Sequence, residues 1–169
     1  MSFAAGDVLT AAGLNNATRK CIARARRVTD SSATTSTTEV SVVRLANIPI
    51  IGGKLYRVTY TCNGDVATNA DSLRAVLRYT TDRSTPSTSS TILPGSGREV
   101  EITDAAIFEA LCAETDYTPA ADEWLSLLLT IRHNQGTSSS VLKGDTSVFM
   151  TQIYVDDMGD DPGNTGTNL

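Results

Sequence analysis

The chain carries one histidine, His133, among many serines and aspartates. A Ser–His–Asp site would need that ring as its base. Such a triad is defined by the geometry of three groups, and nothing in the spacing around "TIRHNQG" supplies it. His133 is read instead as a polar residue at a hairpin mouth. Four carboxylates, Asp156, Asp157, Asp160 and Asp161, crowd around Met158 and Gly159. They offer the oxygen donors that Ca²⁺ takes, but the loop spacing with its closing bidentate glutamate is missing; a solvated acidic arm is expected. Lys20, Arg24, Arg26 and Arg27 form a basic run. On a strand Arg24 and Arg26 share a face. Nucleic-acid binding is one use for them, and ion pairing with an acidic segment of a neighbouring subunit is the favoured one. Gly52–Gly53 and "PGSG" are too short and wrongly placed for a phosphate cradle and read as turns. Cys21, Cys62 and Cys112 are odd in number and widely spaced, which suits neither a disulfide framework nor a zinc site. They are read as small buried hydrophobes, with one bridging pair left open. No catalytic, cofactor-binding or metal residue is assigned.

Those residues need a scaffold. With 169 residues the chain is long enough for one domain with a real core. An apolar fraction of 40% with 20% charged residues suits a soluble globular protein, and only 5% aromatics makes the core mostly aliphatic. A net charge of −5 argues against nucleic acid as a partner. The opening "MSFAAGDVL" has neither a basic n-region nor an apolar h-region, so no secretory signal is expected. No apolar run approaches the roughly 20 residues of a membrane span, so no membrane partner is expected either.

Thr10 to Lys20 reads as a short helix capped by Thr10, with Leu9, Ala12 and Leu14 as a thin apolar stripe. Such a helix is marginal alone and needs a docking partner. From Cys21 the period becomes two. "KCIARARRV", "EVSVVRL", "KLYRVTYTC", "SLRAVLRY", "REVEI", "WLSLLLTIRH" and "TSVFMTQIYV" all read as strands. Tyr56, Val58, Tyr60, Leu73, Leu77, Leu127, Leu129 and Ile131 are the expected core. Trp124 and Leu128 face the other way, so that strand is read as covered on both sides. In "TDAAIFEALCAETDY" Asp104 can cap a helical turn carrying Ile107, Phe108 and Leu111; an irregular strand is the alternative, and a turn followed by a strand is favoured. Gly/Pro/Asn turns between many short strands indicate a β-sandwich or jelly roll.

Four segments resemble virion proteins of tailed bacteriophages, especially those of actinobacteria. "GDVLTAAGLN" is similar to the opening of tail and other virion proteins in that group. "LRYTTDRSTPSTSS" resembles an "LRYTTDGSTP" hairpin of small accessory virion proteins, and "GKLYRVTYTC" and "IYVDDMG" are similar to further segments there. The sequence departs at Arg83, where the similar hairpins often carry glycine; glycine allows a positive φ that arginine resists. The resemblance implies a structural protein of the particle, a head decoration protein or a minor tail protein. It supplies no catalytic residue to carry over.

The expectation is a mainly β protein: an antiparallel sandwich of jelly-roll type with a short N-terminal helix. Residues 1–20 form an arm and docking segment, 21–156 the sandwich, and 157–169 an acidic tail. The leading function is a non-enzymatic capsid decoration or cement subunit, homotrimeric, on the major capsid or tail proteins of the virion. The alternative is a minor tail or fibre-tip protein that binds a host receptor. Phe3, Val8, Leu9 and Leu14 are the docking residues. Ser84, Thr85, Ser87, Thr88 and Ser89 form a surface loop that faces away from the anchor.

Overall fold

A computed structural model of the chain describes residues 19–35, 37–66, 71–102, 108–135, 139–144, 150–161 and 163. Ten strands occupy most of them: β1 (Lys20–Arg27), β2 (Val40–Ile50), β3 (Lys54–Val66), β4 (Asp71–Thr80), β5 (Thr91–Ile92), β6 (Arg98–Ile102), β7 (Glu109–Tyr117), β8 (Glu123–Gln135), β9 (Ser140–Lys143) and β10 (Thr151–Asp160). Every strand pair is antiparallel. Sheet A has the order β1-β10-β3-β7, with β9 also on β3; sheet B has the order β2-β8-β4-β5, with β6 also on β4. The chain crosses between sheets from β1 through β4, stays in sheet B for β5 and β6, then crosses again from β6 through β9. That is the wiring of an antiparallel sandwich of the jelly-roll kind.

The period of two explains why these segments are strands. Along β3, Tyr56, Val58, Tyr60 and Cys62 point into the sandwich and are at most 2% exposed. They meet Leu73, Ala75 and Leu77 of β4 and Leu125, Leu127, Leu129 and Ile131 of β8 in one cluster. All eight residues expected in the core are there. The Tyr60 hydroxyl donates across the sandwich to the Ala75 carbonyl at 3.3 Å, so the phenol's polar end is satisfied as its ring is buried. At Gly64 an added Cβ would lie 2.6 Å from Leu73 Cδ2. The packed side chains of Leu73 and Leu111 fill the space that a side chain at this position would take.

Several expectations change. Residues 10–18 of the expected helix lie outside the described residues, as do Phe3, Val8, Leu9 and Leu14; Lys20, placed at the helix end, instead opens β1. Asp104 and Ile107 also lie outside them, but Leu111 sits on β7, paired with Cys62, and is buried rather than on a helix face. The open edge of β3 offers backbone partners, and tertiary pairing overrides local helix preference. The acidic tail was expected from residue 157, yet β10 runs on to Asp160.

Register also fixes what lies at each end. Lys20 pairs with Asp157, Lys54 with Asp160, Ile50 with Glu123 and Thr80 with Ser126. The start of β1, the end of β10, the β2–β3 and β7–β8 turns and the β4–β5 connection therefore share one end of the sandwich. β1 thus begins at the end of the sandwich that carries the hydroxyl-rich loop.

Candidate functional site

Thr81 to Ser90 is the long connection between β4 and β5. It begins with a bridge of Asp82 to Trp124 of β8. Asp82 Oδ1 then accepts from both the backbone N–H (3.0 Å) and the hydroxyl of Ser84. These bonds, the hydroxyl's first, hold its carboxyl below the usual range. Between them Arg83 adopts φ +66°, a conformation that costs an L-residue. Its guanidinium carbon lies 4.0 Å from the centroid of the Trp124 ring, an attraction that offsets the cost. Arginine thus takes the backbone shape that glycine would give.

The serines are bonded to their own loop. Thr80 Oγ1 donates to the Ser84 carbonyl at 2.8 Å. Ser87 N–H donates to Ser90 Oγ at 3.0 Å, and Ser90 N–H to the Ser87 carbonyl at 3.1 Å. The Ser87 and Ser89 hydroxyls lie 2.9 Å apart. Ser84, Thr85, Ser87, Thr88 and Ser89 are exposed, as expected, but Pro86 between them is buried. The loop folds back over the outer face of sheet B.

That face explains the fold-back. Ser126, Leu128 and Thr130 point outward from β8, yet none is more than 1% exposed. Leu128 has Arg44 and Arg78 as its two cross-strand neighbours. Arg44 donates to the Pro86 carbonyl at 3.3 Å, and Arg78 to the Ser90 carbonyl. Arg78 also grips Glu39 through two bonds of 2.6 and 2.7 Å, and Thr130 donates to the same carboxylate at 2.9 Å. Burial pushes Glu39 upward, but the bonds from Arg78 and Thr130 outweigh it and hold the carboxyl below its usual value. The expectation that β8 is covered on both sides therefore holds, and the loop does part of the covering.

Beside the loop lies an open cleft of about 380 Å³, lined by Tyr79, Thr81, Asp82, Ser84, Ser89 and Thr91 among others. Tyr79 stands edge-on to Tyr117 with ring centroids 5.7 Å apart, and the Tyr117 hydroxyl donates to Glu123. The cleft has hydroxyls, one aromatic ring and one carboxylate. The Ser84 hydroxyl donates to the Asp82 carboxylate there, and neither histidine nor lysine lines the cleft.

The remaining candidates are brought to other places. His133 is fully buried, not at a hairpin mouth, with Nε2 2.9 Å from the Thr34 carbonyl; it ties β8 to the β1–β2 connection. Asp156 is 4% exposed and accepts from Arg19 Nε at 2.7 Å, and Asp157 pairs with Lys54 at 3.0 Å. These two carboxylates belong to a strand, not to a solvated arm. Arg27 donates to the carbonyls of Thr29, Asp30 and Val42, so it staples the connection after β1. All three cysteines are free; Cys62 is buried, but Cys21 and Cys112 are exposed, against expectation. Among the described residues no group of three or more His, Cys, Asp or Glu is placed to hold a metal. No helix among them is long and apolar enough to cross a membrane.

Sequence reasoning missed the Glu39–Arg78–Thr130 cluster and the two arginines over Leu128. The available signal was an outward arginine on each of two strands, Arg44 and Arg78, flanking a long Ser/Thr loop.

No family model matches the chain, and no curated protein does. Among solved structures, the chain is similar to the Eiger TNF of S. frugiperda at 12% identity, over 88% of this chain and 99% of that one, with a TM-score of 0.44. A protein of infectious bursal disease virus, Gx strain, matches at 10% identity over 86% of this chain and 36% of that one, TM-score 0.40. The enzymatically active domain of tailspike protein 4 from bacteriophage CBA120 matches at 9% over 77% and 19%, TM-score 0.32. At these identities and scores the likenesses assign neither family nor function.

Proposed function

We propose that this chain is a non-enzymatic structural protein of a tailed-bacteriophage particle, a capsid decoration subunit exposed on the virion. The carrying observation is the construction of the β4–β5 loop, a segment that resembles a hairpin of virion proteins. Its serine hydroxyls bond locally, its proline is buried, and its arginine holds a glycine-like conformation while stacked on Trp124. A loop so committed to itself covers a sheet face and stays soluble without charge. Those commitments suit a durable surface better than a receptor grip. Because β1 begins at the end that carries this loop, a subunit held through the residues just before β1 presents its opposite end, with the Ser/Thr-rich β1–β2 connection, to the outside.

The second reading is a minor tail or fibre-tip protein that binds a host receptor. The cleft beside Tyr79 and Asp82 favours it. Copy number separates the two. Densitometry of purified particles should find this chain in tens to hundreds of copies if it decorates the head. A handful of copies per particle would refute that assignment in favour of the tail, and absence from purified particles would refute both.

A further inference from the structure

We propose that the outer face of sheet A is a two-fold interface between two copies of this chain, with β1 of each copy lying over β7 of the other. One row of outward residues crosses the sheet as Arg24, Tyr154, Thr59 and Glu114. The row is positive at its β1 end and negative at its β7 end. Among the described residues Arg24 has neutral partners, the Gln152 amide oxygen at 2.9 Å and the Met150 sulfur. At the other margin the Glu114 and Asp116 side chains are 48% and 46% exposed, although Arg57 contacts both. The Thr59 hydroxyl in the middle of the face is buried without a partner.

A two-fold axis parallel to the strands, between β10 and β3, reverses this row without moving it along the strands. Arg24 then faces Glu114 of the second copy. The row on one side of it puts Asp156 opposite the second copy's Arg57, and the row on its other side puts Gln152 opposite Thr61. Arg24 on Glu114 and Asp156 on Arg57 pair opposite charges across the axis, the self-complementarity an isologous contact requires, while Cys21 falls opposite Asp116 and Arg26 opposite Cys112. The other in-plane axis, across the strands, sets β1 over β1 and brings arginines onto arginines, a repulsive register. A depression of about 420 Å³ lined by Arg19, Cys21, Arg24, Tyr154 and Asp156 receives the incoming Glu114.

The same axis keeps the ends of both copies where β1 begins and β10 finishes on one side. Both copies can therefore sit on one surface. Four strands at about 4.8 Å spacing and ten residues at about 3.3 Å give roughly 600 Å² per copy. That is below the roughly 800 Å² per partner of standard stable interfaces, so the dimer is concentration- and salt-dependent. The proposed pairing is two-fold, whereas a trimer is expected from sequence.

Sedimentation velocity of the purified full chain across micromolar concentrations, at low and high salt, tests this without any particle. The expected species has twice the 17.9 kDa of the monomer and dissociates as salt rises. Arg24→Glu should weaken it by roughly tenfold or more by setting like charges opposite one another. Adding Glu114→Arg to that variant should restore it. Cys112→Asp, an exposed site facing Arg26 of the second copy, should tighten the dimer severalfold without touching either margin's existing pairs. Unchanged far-UV circular dichroism confirms that each variant is folded, and should Arg24→Glu not fold, Cys112→Asp carries the test. A wild-type monomer at every concentration, a trimer, a dimer indifferent to Arg24→Glu and Cys112→Asp, or a charge swap that fails to restore it would overturn the proposal.

Discussion

Replacing Arg83 by alanine and, separately, by glycine divides its two opposing contributions. An L-residue held at φ near +66° costs on the order of 1–2 kcal/mol. The stack on Trp124, at an exposed position, returns about 0.5–1 kcal/mol. Alanine removes the stack and keeps the backbone cost, so it should destabilise by about 0.5–1 kcal/mol. Glycine also removes the stack but relieves the backbone. Its greater freedom in the unfolded chain takes back roughly 0.5–1 kcal/mol of that relief. The net change for Arg83→Gly is close to zero. A domain of this size shifts its melting temperature by about 2–4 °C per kcal/mol, so alanine should lower it by about 1–4 °C while glycine leaves it nearly where it was. Urea unfolding of the three proteins with a shared slope gives the free-energy differences directly. A glycine variant less stable than the alanine variant would refute the reasoning, because the conformation at residue 83 would then not be costing the arginine anything.

Three further outcomes are expected. Leu127→Ala, in the fully buried layer between the sheets, should cost about 2–5 kcal/mol, read as a lowered midpoint in calorimetry. Glu39 has a folded-state pKa below its reference of 4.5, so its share of stability is present above that pH and is lost as pH falls through the lower folded value. The stability gap between wild type and Glu39→Gln, followed by urea unfolding from neutral pH downward, should therefore be widest near neutrality and close in acid. In dilute native protein at high salt, where the proposed pairing is dissociated, Cys21 and Cys112 should react with an aromatic disulfide reagent, while Cys62, buried and with its pKa pushed up by burial, should react only on unfolding.

Alternation alone located the inner faces of the long strands, and Tyr56 through Ile131 sit where it placed them. It could not report what folds back over an outer face. Leu128 and Thr130 look half-polar in sequence, and their burial depends on Arg44, Arg78 and a loop that begins at Thr81. The short strands β5 and β9 have too few residues for a period to show. β7 was obscured because Ile107, Phe108 and Leu111 also satisfy helical spacing, and only the open edge of β3 decides between the two. The candidate loop was legible as a loop from its serines and threonines. Its role as a cover was not, because that rests on one buried proline and two arginines distant in sequence.

The first and last strands are antiparallel neighbours, and the chain enters the one and leaves the other at the same end. Tension applied between the two flanks would therefore act on the β1–β10 ladder as on a zipper, opening its hydrogen bonds one after another instead of shearing them together. If both flanks are fastened side by side to one support, a pull on the body no longer draws them apart, and the force passes along the strands, where the bonds between β10 and β3 resist as a group. How the protein is tethered, as much as how it is packed, sets the force at which it comes apart.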